Sequence, residues 1–251
     1  MRVVWAIARR EVRSLLHTAT GWLVLSGFLF LTGAFWLALV DNYLARSGDL
    51  AYDPYSDVRM SLVDHLLAPF FGNVAILLLV VCPAVTMRSF ADEQRLGTLD
   101  LLATSPVSAW QIALGKLGGA WAFVGLLLAC TLWMPLALTP FGALDPGALA
   151  GGYLSLVLLG AALCAIGTLA SALTDQALVA LVLSFSVTLV LWIVGWLNPD
   201  PTSFVSQISI ATHVGDMARG ALRASDVAYF LLLSGWCVVA LRQRVASWRY
   251  A

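Results

Sequence analysis

Long apolar runs separated by short polar segments are the dominant pattern of the chain. Five stretches contain at least 22 consecutive residues without Asp, Glu, Lys or Arg, namely residues 18–40, 66–87, 117–144, 146–174 and 176–199. A transmembrane helix needs roughly 20 apolar residues, so each stretch predicts one membrane span. A sixth run, residues 227–241, has 15 residues and reaches spanning length only if its helix starts near Leu222. The pattern therefore predicts an all-α bundle of six transmembrane helices.

A single charge divides the longest apolar region. Asp175 lies near the middle of residues 146–199. A charged side chain at the centre of a bilayer costs about 2.5–3.5 kcal/mol on insertion scales. We therefore predict that Thr174, Asp175 and Gln176 form a polar turn between two spans.

The composition agrees with a lipid environment. Hydrophobic residues make up 61% of the 251 residues and charged residues only 11%, whereas soluble domains have about 25% charged residues. The formal net charge is zero, so nothing indicates a nucleic-acid partner. The four cysteines lie singly in apolar runs, which predicts small buried side chains rather than a metal or redox site.

The distribution of basic residues predicts the orientation. Six spans place both termini on the same side of the membrane. With a cytoplasmic N-terminus, ten Lys and Arg residues fall in cytoplasmic segments and four fall outside, as the positive-inside rule expects. Both termini are therefore predicted to be cytoplasmic, and so is the polar segment between the second and third spans.

The first 17 residues predict an amphipathic helix that precedes the six-span domain of residues 18–251. Apolar side chains recur there at helical spacing and arginines occupy the remaining faces, a pattern suited to the membrane interface. The candidate interfacial residues are Trp5, Arg9, Arg10 and Glu11. Two roles stay open for this helix, a topology-setting anchor and a docking element for a partner.

The polar segment at residues 88–106 is more structured than a linker. Ser89 is predicted to cap a short helix that Gly97 ends, and Ser105 with Pro106 is predicted to start the next helix. Three leucines then lie on a short stretch outside the membrane, namely Leu99, Leu101 and Leu102. Exposed apolar side chains mark interaction surfaces, so these leucines either fold back onto the bilayer or insert into another protein.

Three residue types near this segment suggest how helices bend and pack. Pro83 is predicted to kink the second span just before the polar segment. Gly115 and Gly119 allow another helix to approach closely, either within the bundle or from a second protomer. Lys116 is predicted to extend its charge to the cytoplasmic surface from the end of the third span.

The sequence contains no recognisable catalytic or nucleotide site. Lys116 is the only lysine, and its neighbours do not fit the G-x-x-x-x-G-K-[ST] pattern of a phosphate-binding loop. The three histidines are far apart, which gives no metal-site spacing. No ionisable residue falls deep in a predicted span, where ion-coupled transporters place one. The chain is therefore predicted to be non-enzymatic and to hold no metal or cofactor.

Residues 198–224 have an intermediate polarity. They are too polar to span a membrane and too apolar for a solvated loop. A plain extracytoplasmic loop is one interpretation. The family resemblance described below implies short helices on or in the extracytoplasmic surface instead.

One stretch, "CPAVTMRSFADEQRLGTLDLLATSPVSAWQIALGK" at residues 82–116, resembles the signature of ABC-2-type permeases, closest to the gliding-motility-associated branch. The stretches "ARREVRSLL" before the first span and "HVGDMARGALRASDVAYF" at residues 213–230 are similar to the same branch. In such families the segment between spans two and three is a coupling helix that docks in a cleft of an ATPase subunit.

The resemblance implies a function and partners. The chain would be the permease subunit of an ATP-driven exporter in a bacterial inner membrane, with ATP and magnesium bound by a separate ATPase. Its implied partners are that ATPase, a second identical or related permease subunit and membrane lipid, and an extracytoplasmic auxiliary protein is a further candidate. The implied ATPase contacts are Glu93, Gly97, Thr98, Leu99, Asp100, Leu101 and Leu102, with Asp100 standing where the family usually has Glu.

Two other functions stay open at this point. An ABC-like complex that performs mechanical or assembly work, as in gliding or envelope assembly, would share every motif described above. A secondary transporter that acts alone would instead need an ion-coupling residue in a span.

Overall fold

A computed structural model describes residues 2–52, 61–98, 107–138, 145–196 and 207–248. Regular structure over these ranges is helical throughout. The helices are α1 (Arg2–His17), α2 (Ala19–Tyr52), α3 (Ala68–Thr86), α4 (Arg88–Arg95), α5 (Ala109–Thr131), α6 (Trp133–Leu136), α7 (Pro146–Leu173), α8 (Ala177–Ile193), α9 (Ile210–Ala218) and α10 (Ala224–Ser247). A π-helical turn at Val63–Leu67 leads into α3, and a 3-10 turn at Val194–Trp196 follows α8.

Five helical segments of the described residues are long and apolar enough to cross a membrane. They are Ala19–Gly48, Val63–Arg95, Ala109–Leu136, Pro146–Leu173 and Ala224–Ser247. The predicted count of six is not confirmed, because α8 has only 17 residues. At 1.5 Å per residue this helix is about 26 Å long, short of a hydrocarbon core of about 30 Å.

The shortest apolar run nevertheless lies in a helix that is long and apolar enough to span a membrane. Residues 227–241 lie inside α10, which begins at Ala224 and has 24 residues. The polar turn predicted around Asp175 is also confirmed. Thr174 ends α7, Gln176 precedes α8, and the backbone N–H of Gln176 donates to the Thr174 hydroxyl at 3.2 Å.

Helix α7 is at the centre of the bundle, where it packs against α3, α5, α8, α9 and α10. Small residues on α7 let large aromatic rings approach its backbone. The Phe71 ring of α3 is fully buried beside Gly152 and meets Tyr153 edge-on at a centroid distance of 5.3 Å. Trp36 of α2 contacts Phe70 in the same way at 5.0 Å. Aromatic contacts of this kind fix the mutual position of α2, α3 and α7.

The outer surfaces of α2, α8 and α10 are apolar. Phe30, Leu178 and Leu232 are each more than 70% exposed. Large exposed apolar side chains over several helices would favour aggregation in water, whereas lipid accommodates them. The exposed faces therefore support a membrane-embedded bundle independently of helix length.

The bundle has two distinct ends. We call one the α4 end, where α1, α4, the start of α5 and the last turns of α7 and α10 meet. At the opposite end, α9 packs against the start of α7, and Gly151 lies beside the backbone of Met217. The α9 helix falls within residues 198–224, so residues 210–218 are helical rather than a plain loop. Their predicted place at the extracytoplasmic surface stays a prediction. Residues 197–206 lie outside the described residues.

Candidate coupling site

The α4 end contains a buried lysine that three elements share. Lys116 on α5 is 3% exposed. Its ammonium donates to Oε1 of Glu93 on α4 at 2.8 Å, to Oε1 of Glu11 on α1 at 3.3 Å, and to the backbone oxygen of Ser89. The ammonium also lies 4.6 Å from the centroid of the Phe90 ring. All three ammonium hydrogens are therefore engaged, and one side chain joins α1, α4 and α5.

This geometry corrects the interpretation of Lys116 as a residue that extends to the membrane surface. The side chain turns inward because two carboxylates and a carbonyl satisfy it there, and a paired buried charge needs no water. The cluster has one positive and two negative groups, and Oε2 of Glu93 is buried with no hydrogen-bond partner among the described residues. A buried charge network of this kind depends on every member being present.

A second contact fixes α4 to the bundle. The Ser171 hydroxyl, on the last turn of α7, accepts the backbone N–H groups of Phe90 and Ala91 at 2.9 and 3.0 Å and donates to the Met87 carbonyl at 2.9 Å. Met87 itself keeps helical backbone angles, with φ −55° and ψ −33°. One hydroxyl on α7 therefore binds three backbone groups at the joint between α3 and α4.

The start of α4 does not follow the predicted cap. Ser89 lies inside α4, whose first helical residue is Arg88, so the prediction of a Ser89 cap is wrong and Ser171 satisfies the amides instead. The next helix also starts later than predicted. Helix α5 begins at Ala109, with a reciprocal capping box between Ser108 and Gln111.

The first turns of α4 are held in an apolar niche. The Phe90 side chain is fully buried and packs in one cluster with Ile112, Leu241 and Val245. Its ring centroid lies 5.7 Å from that of Trp248. Phe90 therefore packs α4 against α5 and α10.

The end of α4 is exposed. Leu96 is 68% exposed, Gly97 has a φ of +66°, and Thr98 donates its backbone N–H to the Glu93 carbonyl at 3.1 Å. A glycine in the left-handed conformation commonly ends a helix in this way. The prediction that Gly97 ends the helix is therefore confirmed. Leu99, Asp100, Leu101 and Leu102 lie outside the described residues. The ATPase-contact role of all seven predicted residues stays a prediction, and Glu93 is held within the chain by Lys116.

The predicted N-terminal helix forms as α1 and packs along α5. Trp5 is 70% exposed, and Arg9 and Arg10 are also exposed, while Glu11 turns toward Lys116. A Cβ atom added at Gly119 would lie 2.5 Å from Cβ of Glu11. The glycines of α5 therefore accommodate α1 of the same chain, which agrees with the intrachain interpretation of that motif. The tight turn from α1 into α2 requires Gly21, where an added Cβ would lie 1.8 Å from the Leu15 carbonyl oxygen.

Pro83 lies inside α3, fully enclosed, one turn before the joint at Met87. The Thr86 hydroxyl donates to the Cys82 carbonyl at 2.7 Å in the same turn. A proline leaves one carbonyl of the preceding turn without its amide partner. The kink predicted at Pro83 stays a prediction.

The opposite end holds a buried pair that the sequence did not reveal. Nδ1 of His213 on α9 lies 2.7 Å from Oδ1 of Asp226 on α10, and Nε2 lies 3.0 Å from the Gln207 carbonyl. The imidazole stacks on Tyr229 at a centroid distance of 4.2 Å. Both ring nitrogens lie within hydrogen-bond distance of an oxygen atom. Asp226 is 3% exposed, and its Oδ2 has no partner among the described residues.

Asp226→Asn is expected to lower the free energy of unfolding by about 1–3 kcal/mol, because it replaces the buried carboxylate that is hydrogen-bonded to the His213 ring. The matched control is Asp216→Asn, which removes an exposed pair with Arg223 and is expected to cost at most about 0.5 kcal/mol. Thermal unfolding of the purified chain in detergent measures both. Equal unfolding midpoints for Asp226→Asn and Asp216→Asn would contradict a stabilising role of the His213–Asp226 pair.

Among the described residues, no group of three or more His, Cys, Asp or Glu side chains is placed to hold a metal ion. The four cysteines are free, and Cys82, Cys164 and Cys237 are buried. The chemistry of the α4 end is thus that of charge pairing and helix positioning.

Comparison with known proteins agrees with this architecture. Residues 42–240, well over half of the chain, match the ABC-2 family transporter protein family. The chain therefore belongs to the ABC-2 family of transporter membrane domains.

Two curated relatives share a shorter stretch. Both are called probable multidrug ABC transporter permease YbhR, one from Escherichia coli strain K12 and one from Escherichia coli O157:H7. Each is 30% identical over 122 residues. The match covers 49% of this chain but 31% of each relative, so the chain spans about a third of the relatives it matches.

Proposed function

We propose that this chain is the membrane subunit of an ATP-driven exporter in a bacterial inner membrane. A separate ATPase subunit binds ATP and magnesium, and a second permease subunit, identical or related, completes the pathway. Both termini and the α4 end face the cytoplasm. Membership of the ABC-2 family supports the transporter class, and the placement in the gliding-motility-associated branch rests on the sequence resemblance alone.

The observation that carries the proposal is the attachment of α4. The last turn of α4 is exposed at Leu96, whereas its first turns are bonded to α7 through Ser171 and to α1 and α5 through Lys116. A push on the exposed end is therefore transmitted to three helices through charged and hydrogen-bonded contacts. Such an attachment suits a membrane protein that is driven by a soluble ATPase. The bundle then alternates between discrete packings as the ATPase changes conformation.

Disulfide crosslinking tests this proposal. Thr98→Cys is expected to crosslink to cysteines introduced in the docking cleft of the co-expressed ATPase, because Thr98 is exposed at the end of α4. Leu222→Cys, at the opposite end and 50% exposed, is the control and is expected to give no crosslink. The native Cys82, Cys164 and Cys237 are buried, so Cys130→Ser removes the remaining background thiol. An intact complex without any Thr98 crosslink would contradict docking at α4.

The mechanical alternative shares the same docking and needs a different measurement. ATP-dependent flux of substrate into proteoliposomes that contain the whole complex is expected for an exporter and absent for a mechanical device. Flux driven by an ion gradient, from proteoliposomes that contain this chain alone, would instead indicate a secondary transporter.

A further inference from the structure

We propose that a cavity at the α4 end binds the headgroup of a phospholipid with a primary ammonium, such as phosphatidylethanolamine. The cavity has a volume of about 260 Å³ and lies between α1, the start of α2, the end of α3, α4 and α5. At about 30 Å³ per molecule it would hold about nine waters, which is room for a small phosphorylated headgroup. The proposal concerns lipid and does not depend on ATP coupling.

The charges around the cavity favour a zwitterion. Six ionisable side chains line it, namely Arg10, Arg88, Lys116, Glu11, Asp92 and Glu93. Their formal charges sum to zero, so a headgroup with both a positive and a negative group matches the lining better than an anion does. Hydroxyl groups of Ser14, Thr18 and Thr20 also line the cavity, and they add hydrogen-bonding capacity for phosphate oxygens.

Three of these charges are available to a ligand. Lys116 is engaged by Glu11 and Glu93, whereas Arg10, Arg88 and Asp92 make no ion pair with another described residue. Guanidinium groups bind phosphate through paired hydrogen bonds. A carboxylate accepts hydrogen bonds from a primary ammonium, which a quaternary ammonium cannot donate. The two arginines are therefore assigned to the phosphate and Asp92 to the ammonium.

An apolar cavity beside the charged one identifies the ligand as a lipid. A second cavity of about 50 Å³ shares Leu15, Thr20, Val85 and Arg88 with the first, and apolar residues complete its lining. These are Gly21 and Val24 of α2, Ala84 of α3, Met87 at the joint to α4 and Phe123 of α5. This small apolar cavity adjoins the charged one between α2, α3 and α5, and it offers the first carbons of an acyl chain contact with apolar side chains. A soluble phosphate ester would leave this apolar cavity unfilled.

Lipid retention tests the proposal on the purified full chain. The chain is equilibrated in detergent with equal amounts of phosphatidylethanolamine, phosphatidylglycerol and phosphatidylcholine with identical acyl chains, washed, and its retained lipid counted by mass spectrometry. Phosphatidylethanolamine is expected to exceed each of the others by about tenfold, the ratio that 1.4 kcal/mol of selectivity gives. Soluble phosphoethanolamine is expected not to displace it. Equal retention of the three lipids would overturn the proposal, and displacement by the soluble ester would overturn the assignment of a lipid.

Paired variants locate the site. Arg10→Gln combined with Arg88→Gln is expected to lower phosphatidylethanolamine retention by about tenfold. Arg13→Gln combined with Arg95→Gln removes the same charge from exposed positions of α1 and α4 that do not line the cavity, and retention is expected to be unchanged. Asp92→Asn is expected to reduce the retention of phosphatidylethanolamine to the level at which the unaltered chain retains phosphatidylcholine. Equal retention by the two double variants would overturn the assignment of the arginines.

A measurement on the unaltered chain keeps the proposal testable if an arginine variant fails to fold. A phosphatidylethanolamine with a photoactivatable group on the first carbons of one acyl chain is expected to label peptides that contain Val24, Ala84 or Phe123. Labelling confined to the exposed face of α10, around Leu232, would show only general lipid contact and would overturn the proposal.

Discussion

Lys116→Met is expected to lower the free energy of unfolding by about 3–5 kcal/mol, the usual cost of removing one partner from a buried charge cluster. The substitution leaves the carboxylates of Glu11 and Glu93 facing each other and the Ser89 carbonyl without a donor. Thermal or denaturant unfolding of the purified chain in detergent measures the loss. In the assembled complex the same change is expected to reduce transport more than ATP hydrolysis, because α4 would lose its attachment to α1 and α5.

The matched control is Arg95→Met, which removes an exposed positive charge from the end of α4 and is expected to change stability by at most about 0.5 kcal/mol. A triple variant that adds Glu11→Gln and Glu93→Gln to Lys116→Met is expected to recover much of the loss, because no uncompensated charge then remains. If Lys116→Met unfolds at the same midpoint as Arg95→Met, the lysine does not hold the three helices together.

Gly152→Ala is expected to destabilise the chain by about 2–3 kcal/mol through overpacking. An added Cβ would lie 2.0 Å from Cε2 of Phe71. The ring cannot withdraw easily, because it is fully buried between Phe70, at a centroid distance of 5.6 Å, and Tyr153. Unfolding in detergent checks the loss, and the change should separate α3 from α7 at the end opposite α4.

Gly235→Ala is the control for this prediction. Gly235 lies in α10 with no atom within 4 Å of an added Cβ, so the change is expected to be neutral or to stabilise by up to about 1 kcal/mol through helix propensity. Phe71→Leu, placed in the Gly152→Ala background, is expected to restore part of the stability by making room. A Gly152→Ala variant as stable as Gly235→Ala would show that Phe71 is free to move.

The sequence predicts those features that depend on local hydrophobicity. Asp175 interrupts an apolar region, and the turn forms there because an unpaired charge is costly in hydrocarbon. Residues 227–241 become the span α10 because the helix extends past the run at both ends. Helix α8 is too short because it ends before its charge-free run does. That run, residues 176–199, has 24 residues and includes Gly195 and Pro199, whereas the regular α-helix ends at Ile193. A run without charges is thus not the same as a helix of that length.

The contacts that define the candidate site depend on distant residues. Lys116 is 105 residues from Glu11 and 23 from Glu93, so no local pattern indicates that its charge is satisfied inside the bundle. Ser171 is 81 residues from Phe90 and looks like any polar residue near the end of a span. The pairing of His213 with Asp226 requires α9 to fold beside α10. Long-range pairing of this type follows from packing, which a single sequence does not display.

The Ser171 hydroxyl places part of the positioning of α4 on a different helix. One oxygen on α7 binds two amides of α4 and the carbonyl that precedes it, so its loss would release three contacts while every residue of α4 stays the same. The seating of α4 can therefore be retuned in evolution from a position outside α4.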